Sequence, residues 1–117
     1  MRSEQRLRNR LDFKHVYAEG IKVGGALVVV FARPREGPAS RLGITATRRS
    51  GNAVERNRAR RRIRELFRRH PEVLAGPTVD LVVNVRSGCA RAPWPELEAE
   101  YLVCVSRAMR RLVRRVS

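Results

Sequence analysis

The chain has 117 residues, a formal net charge of +15 and 43% hydrophobic side chains. That apolar share is enough for a folded core, so the charge belongs to a basic domain and not to a disordered tail, and the length allows one domain over residues 1–117 but not two. No stretch reaches the roughly 18 apolar residues of a membrane span and the N-terminus has no hydrophobic signal core, so no membrane partner is expected and the location reads as cytoplasmic.

Residues 1–11 are basic and lack a clear period, which predicts an irregular arm. Asp12 is placed to cap a short helix, Phe13 to Glu19, with Phe13, Val16 and Tyr17 on one face and Gly20 ending it in a left-handed conformation. The run Ala26 to Ala32 is short and β-branched, hence a strand. Pro34 to Pro38 has turn composition, and Arg41 to Thr47 forms a second strand. The two are expected to pair as an antiparallel hairpin. After a Gly76-Pro77 break, Val79 to Val85 alternates as a third core strand. Arg86 to Pro95 reads as a loop. A last helix begins near Pro95 or Glu96, with Glu96, Glu98 and Glu100 at its positive end and basic residues at its negative end. Leu97, Tyr101, Cys104, Ala108 and Leu112 supply its apolar stripe. The expected fold class is α+β, a single-domain α-β-β-α-β-α sandwich with helices packed on a sheet.

The most informative segment lies between the second and third strands, where residues 48–69 hold ten arginines and two acids, a charge of +8. Ala59, Ile63, Leu66 and Phe67 recur at the spacing of one buried helical face. Arg58, Arg61, Arg62, Arg64, Arg68 and Arg69 are expected to project away from it, together with Asn57. Asn52 and Glu55 make an N-x-x-E capping box, entered through Gly51. Like-charge neighbours at this spacing cost several tenths of a kcal/mol each, which a polyanion would offset. Guanidinium groups suit that partner, since each can hold two phosphate oxygens or lie on a base. A merely solvated basic helix is the plainer reading.

Catalytic chemistry is sparse. Cys89 and Cys104 form no C-x-x-C pair, so neither a zinc site nor a disulfide framework is indicated; Cys104 reads as a small core residue and Cys89 as an ordinary reduced thiol. His15 and His70 share no motif and read as surface residues. Asp12, Glu55 and the acids of the last helix suit helix ends, and Asp80 is placed to pair with an arginine. A self-sufficient protein nuclease needs convergent acids or an acid–base pair, and no catalytic or metal-ligating residue is assigned. A helix-turn-helix DNA reader fits poorly, because a strand precedes the arginine helix, so no DNA partner is expected. A general RNA-binding or ribosomal protein fits the charge and size.

The stretch Arg41 to Glu65, with Gly51-Asn52-Ala53 followed by Arg56-Asn57-Arg58, closely resembles the signature of the protein subunit of bacterial ribonuclease P. The likeness extends over nearly the whole chain, from the Arg-Leu-Arg arm through Asp12-Phe13, Gly20 and the Asp80 strand to the final amphipathic helix. The resemblance implies a ribosomal-protein-like α+β fold with a left-handed βαβ crossover, against the general rule of handedness. It implies an endoribonuclease ribonucleoprotein in which the RNA subunit carries the catalytic Mg²⁺, with no metal site assigned on the protein, and whose partners are ribonuclease P RNA and precursor tRNA.

The same resemblance implies that Arg56, Asn57, Arg58, Arg61, Arg64 and Arg68 bind the RNA subunit. It also implies a central cleft for the single-stranded 5′ leader, with Phe13, Tyr17 and Phe31 as its aromatics. Lys14, Lys22, Arg48 and Arg49 are the candidate phosphate contacts around it. Phe13 and Tyr17 stand at i and i+4, and aromatic platforms with basic flanks hold single strands without regard to sequence. Packing into the core is the alternative for these rings, Phe13 above all.

Overall fold

The computed structural model describes residues 5–116, with the side chain of Val116 outside that description. Its elements are α1 (Arg10–Glu19), β1 (Ile21–Gly24), β2 (Val28–Pro34), β3 (Arg41–Thr45), α2 (Ala53–Arg69), β4 (Val79–Val85) and α3 (Trp94–Val116), with short 3-10 turns at Arg48–Ser50 and Pro71–Leu74. The fold is α+β, with a four-stranded mixed sheet in the order β1-β2-β4-β3.

That order corrects the expected hairpin. β2 does not pair with β3; it pairs antiparallel with β1 on one side and β4 on the other, while β3 runs parallel to β4. A turn-like Pro34 to Pro38 permits a hairpin but does not impose one, and β4 competes successfully because it is the strand able to be buried on both faces. Every β4 residue except Asn84 is buried, the pattern of a central strand. β1 is an addition: at four residues, with a terminal glycine, it has too little period of its own and takes strand form from its ladder with β2.

Strand alternation divides the side chains between two faces. On one, Val28, Val30, Ala32, Val79, Leu81, Val83 and Val85 meet the apolar stripes of α2 and α3 in the main core. The last helix contributes Leu97, Tyr101, Cys104, Ala108 and Leu112 as anticipated, all buried. Fully burying a leucine of this kind is worth ~1.5–3 kcal/mol, so this face holds most of the fold's stability. On the other face Leu7, Val16, Phe31 and Val82 form a smaller cluster, with Phe13 and Val29 packed against it.

α1 starts earlier than expected. Asn9, not Asp12, is the cap: its side chain accepts the Leu11 N–H at 2.9 Å. Asp12 is left in the first turn, facing Arg41 at 3.5 Å. Gly20 is extended (φ −76°, ψ 159°) and not left-handed. Its lack of a side chain answers a close approach, because a Cβ there would lie 2.5 Å from the Val16 carbonyl oxygen. The arm is also less irregular than its composition suggests. Arg6 bridges Leu42 in parallel fashion, Leu7 N–H donates to the Leu42 carbonyl at 2.9 Å, and Leu7 is buried.

Candidate nucleic-acid interface

The entry to α2 is built as its sequence indicates. Asn52 Oδ1 accepts the Glu55 N–H at 2.8 Å and Glu55 Oε1 accepts the Asn52 N–H at 3.1 Å. This hydrogen bond from the Asn52 backbone, helped by Arg91 at 2.6 Å, holds the Glu55 carboxyl below its usual range. Gly51 is at φ +131°, a conformation costly for other residues. Just before it, buried Ser50 donates to the Val85 carbonyl at 2.7 Å and accepts the Thr47 N–H at 3.1 Å. The helix therefore springs from the ends of the two parallel strands with its start tied to β4.

Ala59, Ile63, Leu66 and Phe67 face the core. The arginines, however, do not all project into solvent. Arg62 donates to the carbonyls of Cys89 and Ala92, both at 2.6 Å, and its guanidinium lies 5.6 Å from the centre of the Trp94 ring. Arg69 shares that ring at 5.3 Å and pairs with Glu65. These two arginines fasten α2 to the first residue of α3 and the segment before it, a correction to the all-solvent face. Glu65 also binds Arg68 at 2.5 Å, so part of the charge is neutralised within the helix. Arg56 donates to the Gly51 carbonyl at 3.1 Å and Arg60 to Asn57 at 3.2 Å. Among the described residues Arg58, Arg61 and Arg64 have no ion-pair or hydrogen-bond partner, and the first two are exposed. Burial, followed by repulsion from Arg6 and Arg60, lowers the Arg64 pKa from its ordinary value.

The candidate cleft lies on the sheet face that α1 covers only in part. Tyr17 meets Phe31 edge to face, with ring centres 4.9 Å apart, and its hydroxyl donates to Asn84 Oδ1 at 2.8 Å and lies 2.6 Å from Thr45 Oγ1. The Lys22 ammonium sits 5.8 Å from the Phe31 ring centre. Phe13 lies over Gly43, where a Cβ would come within 2.6 Å of the ring, so the sheet accepts this ring only because β3 carries a glycine there. The three aromatics differ in access: Phe31 is 9% exposed and Tyr17 37%, with Phe13 between them. Beyond Tyr17 a groove of about 470 Å³ opens, lined by Thr45, Thr47, Arg49, Asn84, Arg86 and Ser87 among others. Lys14 and Arg48 are exposed, on α1 and in the turn before α2.

The sequence matches the Ribonuclease P family over residues 1–115. The chain belongs to the ribonuclease P protein family. The ribonuclease P protein component of Desulfatibacillum aliphaticivorans is 40% identical over 96 residues, covering 82% of this chain and 80% of its own. That of Kocuria rhizophila is 37% identical over 113 residues, covering 93% and 96%. The ribonuclease P protein of Thermotoga maritima superposes with a TM-score of 0.77 at 33% identity, over 87% of this chain and 96% of that one.

Two features of this family member escaped the sequence reading. Arg6, carried by the arm's bridge to β3, lines a hollow of about 310 Å³ with Arg61, Arg64, Glu65 and Arg68. Only the non-local bridge brings it there, so no spacing in the sequence announced it. Arg86, assigned to a loop, borders the groove beyond Tyr17. Its position directly after the third strand was the available signal.

Proposed function

We propose that the protein acts in the ribonuclease P ribonucleoprotein by binding the RNA subunit through α2 and the 5′ leader of precursor tRNA through the cleft. Cleavage chemistry and its Mg²⁺ belong to the RNA in this reading, and the complex works in the cytoplasm. Among the described residues no helix is long and apolar enough to cross a membrane. Arg58, Arg61 and Arg64 are the principal contacts to the RNA subunit, with Asn57, Arg56 and Arg68 at their sides and Arg6 added from the arm. Tyr17 offers the accessible stacking face, Phe31 supports it from below, and Lys22, Arg48 and Arg49 flank the backbone path, with Lys14 exposed on α1 one turn before Tyr17.

The observation that carries this reading is the half-open Tyr17 ring, held by two hydrogen bonds and an edge contact on a sheet face bordered by cations. A fixed ring loses little entropy on stacking, and a stacked base is worth ~1–3 kcal/mol. The test uses protein reconstituted with its cognate RNA. Tyr17→Leu is expected to weaken binding of leader-bearing precursor about tenfold or more while leaving mature tRNA unchanged, and Tyr17→Phe should retain most of the affinity. Equal losses for both substrates would assign the ring to packing.

A further inference from the structure

Beyond the cleft, the C-terminal half of α3 carries five arginines after Glu100, at 107, 110, 111, 114 and 115, and no acid. All five are exposed, and among the described residues none takes part in an ion pair. The helix dipole accounts for Arg114 and Arg115 in the last turn, but its influence fades before Arg107 and Arg111. Arg107 and Arg111 are like charges at i and i+4, as are Arg111 and Arg115, an arrangement that costs stability unless an anion lies across it.

Two contacts fix where this charge points. The Glu100 carboxylate accepts the backbone N–H groups of Ala26, Leu27 and Val28 at 2.6–3.0 Å, at the turn between β1 and β2. At the other end of β1, Arg111 Nη1 donates to the Lys22 carbonyl at 3.4 Å. Glu100, Arg107 and Arg111 recur at i, i+7 and i+11, so they share one flank of α3, and both contacts set that flank along β1; Arg114, at i+14, continues it one turn on and also borders a hollow lined by Glu72 and Val73. β1 is the edge of the sheet. Lys22, exposed on this edge strand, directs its ammonium toward Phe31 in the cleft while its carbonyl receives Arg111. One residue thus joins the aromatic cleft to the arginine flank.

We propose that Lys22, Arg107, Arg111 and Arg114 form a second stretch of the leader track, which holds phosphates of single-stranded leader nucleotides lying farther from the cleavage site than those at Tyr17. This rests on the leader reading of the cleft. Continuity through Lys22 and the uncompensated charge favour a flexible polyanion that leaves the cleft over the sheet edge. A rigid duplex would have to bend sharply around β1 to touch both surfaces.

The test compares three substrates on the reconstituted complex: precursor with a long leader, precursor with its leader cut back to the nucleotides that the cleft spans, and mature tRNA. The variant is Arg107→Gln, Arg111→Gln and Arg114→Gln together, which keeps polar side chains on an exposed face; the triple Arg→Lys variant keeps the charge. We expect the glutamine variant to lose about tenfold in affinity for the long-leader substrate only, and its log–log salt slope to fall by up to about 2, at ~0.7 per phosphate contact with a single strand. The lysine variant should recover most of both. Loss of affinity for all three substrates alike, loss of assembly with the RNA subunit, or no change would overturn the inference. Tyr17→Leu run in parallel separates the two ideas: a leader-specific loss there with none in the glutamine variant removes only the α3 track, whereas no leader-specific loss in either removes the cleft reading as well.

Discussion

At the residue scale, charges here fall into two kinds, those spent inside the fold and those left facing out. Asp80 is 2% exposed on the central strand and receives a two-pronged hydrogen bond from Arg41 at 2.7 and 2.8 Å, with Arg35 at 3.6 Å. Donating to Asp80 outweighs burial and raises the Arg41 pKa. Removing one partner of such a buried pair typically costs ~3–5 kcal/mol, because the other stays buried unpaired. Cys89 is likewise internal, its thiol pushed up to about 11 by burial, which makes it an unreactive core group.

His70 is a residue whose protonation is coupled to folding. It is half-buried at the surface and engaged on both ring nitrogens: Nε2 lies 2.8 Å from Glu98 and Nδ1 3.0 Å from Glu72. Hydrogen bonds to Glu98 first and Glu72 second raise its pKa above the ordinary 6.5. Because the folded state favours the charged ring, the stabilisation is complete below about pH 6.5 and is lost as pH rises through the raised value. We therefore predict that the thermal midpoint of the native protein exceeds that of His70→Gln most at mildly acidic pH. The gap should close on going to alkaline pH. A gap that widens with pH would contradict this assignment.

At the element scale, α2 is the unit whose start is written most plainly in the residues. The reciprocal bonds of Asn52 and Glu55 satisfy backbone N–H groups that a helix terminus leaves orphaned. Asn52→Ala should lower stability by about 1 kcal/mol, measured by urea denaturation, and Asn52→Ser should restore most of it. An equal loss in both variants would deny the cap its part. α3 behaves differently, since only Glu96 stays in its first turn. Glu98 and Glu100, assigned from sequence to its positive end, instead reach His70 and the β1–β2 turn. Their spacing alone could not distinguish favourable placement at a helix end from a tertiary hydrogen bond.

At the scale of the whole molecule, two basic surfaces serve distinct geometric roles. The outer side of α2 presents Arg58 and, around the hollow shared with Arg6, the unpaired Arg61 and Arg64. Replacing Arg58, Arg61 and Arg64 with Ala should weaken binding to the RNA subunit and flatten its log–log salt dependence, since each lost phosphate contact releases fewer counterions. Arg62→Ala should act through the fold instead, because it removes the tie to Cys89, Ala92 and Trp94. An electrophoretic salt titration together with a denaturation curve separates the two effects. An unchanged salt slope in the triple variant would remove this face from the interface.

What the residues determined alone were properties of single elements. The capping box, the apolar stripes of α2 and α3, and the strand Val79 to Val85 all arise from neighbours within a few positions, where helical and strand periods act directly. The tertiary structure decided who pairs with whom. It inserted β4 between β2 and β3, recruited β1 as an edge, and carried Arg6 to the arginine helix while drawing Arg62 and Arg69 onto Trp94. Such choices depend on contacts between residues far apart in the chain, where several partners satisfy the same local pattern. The total burial and hydrogen bonding of the assembled sheet, not any one segment's preference, selects among them.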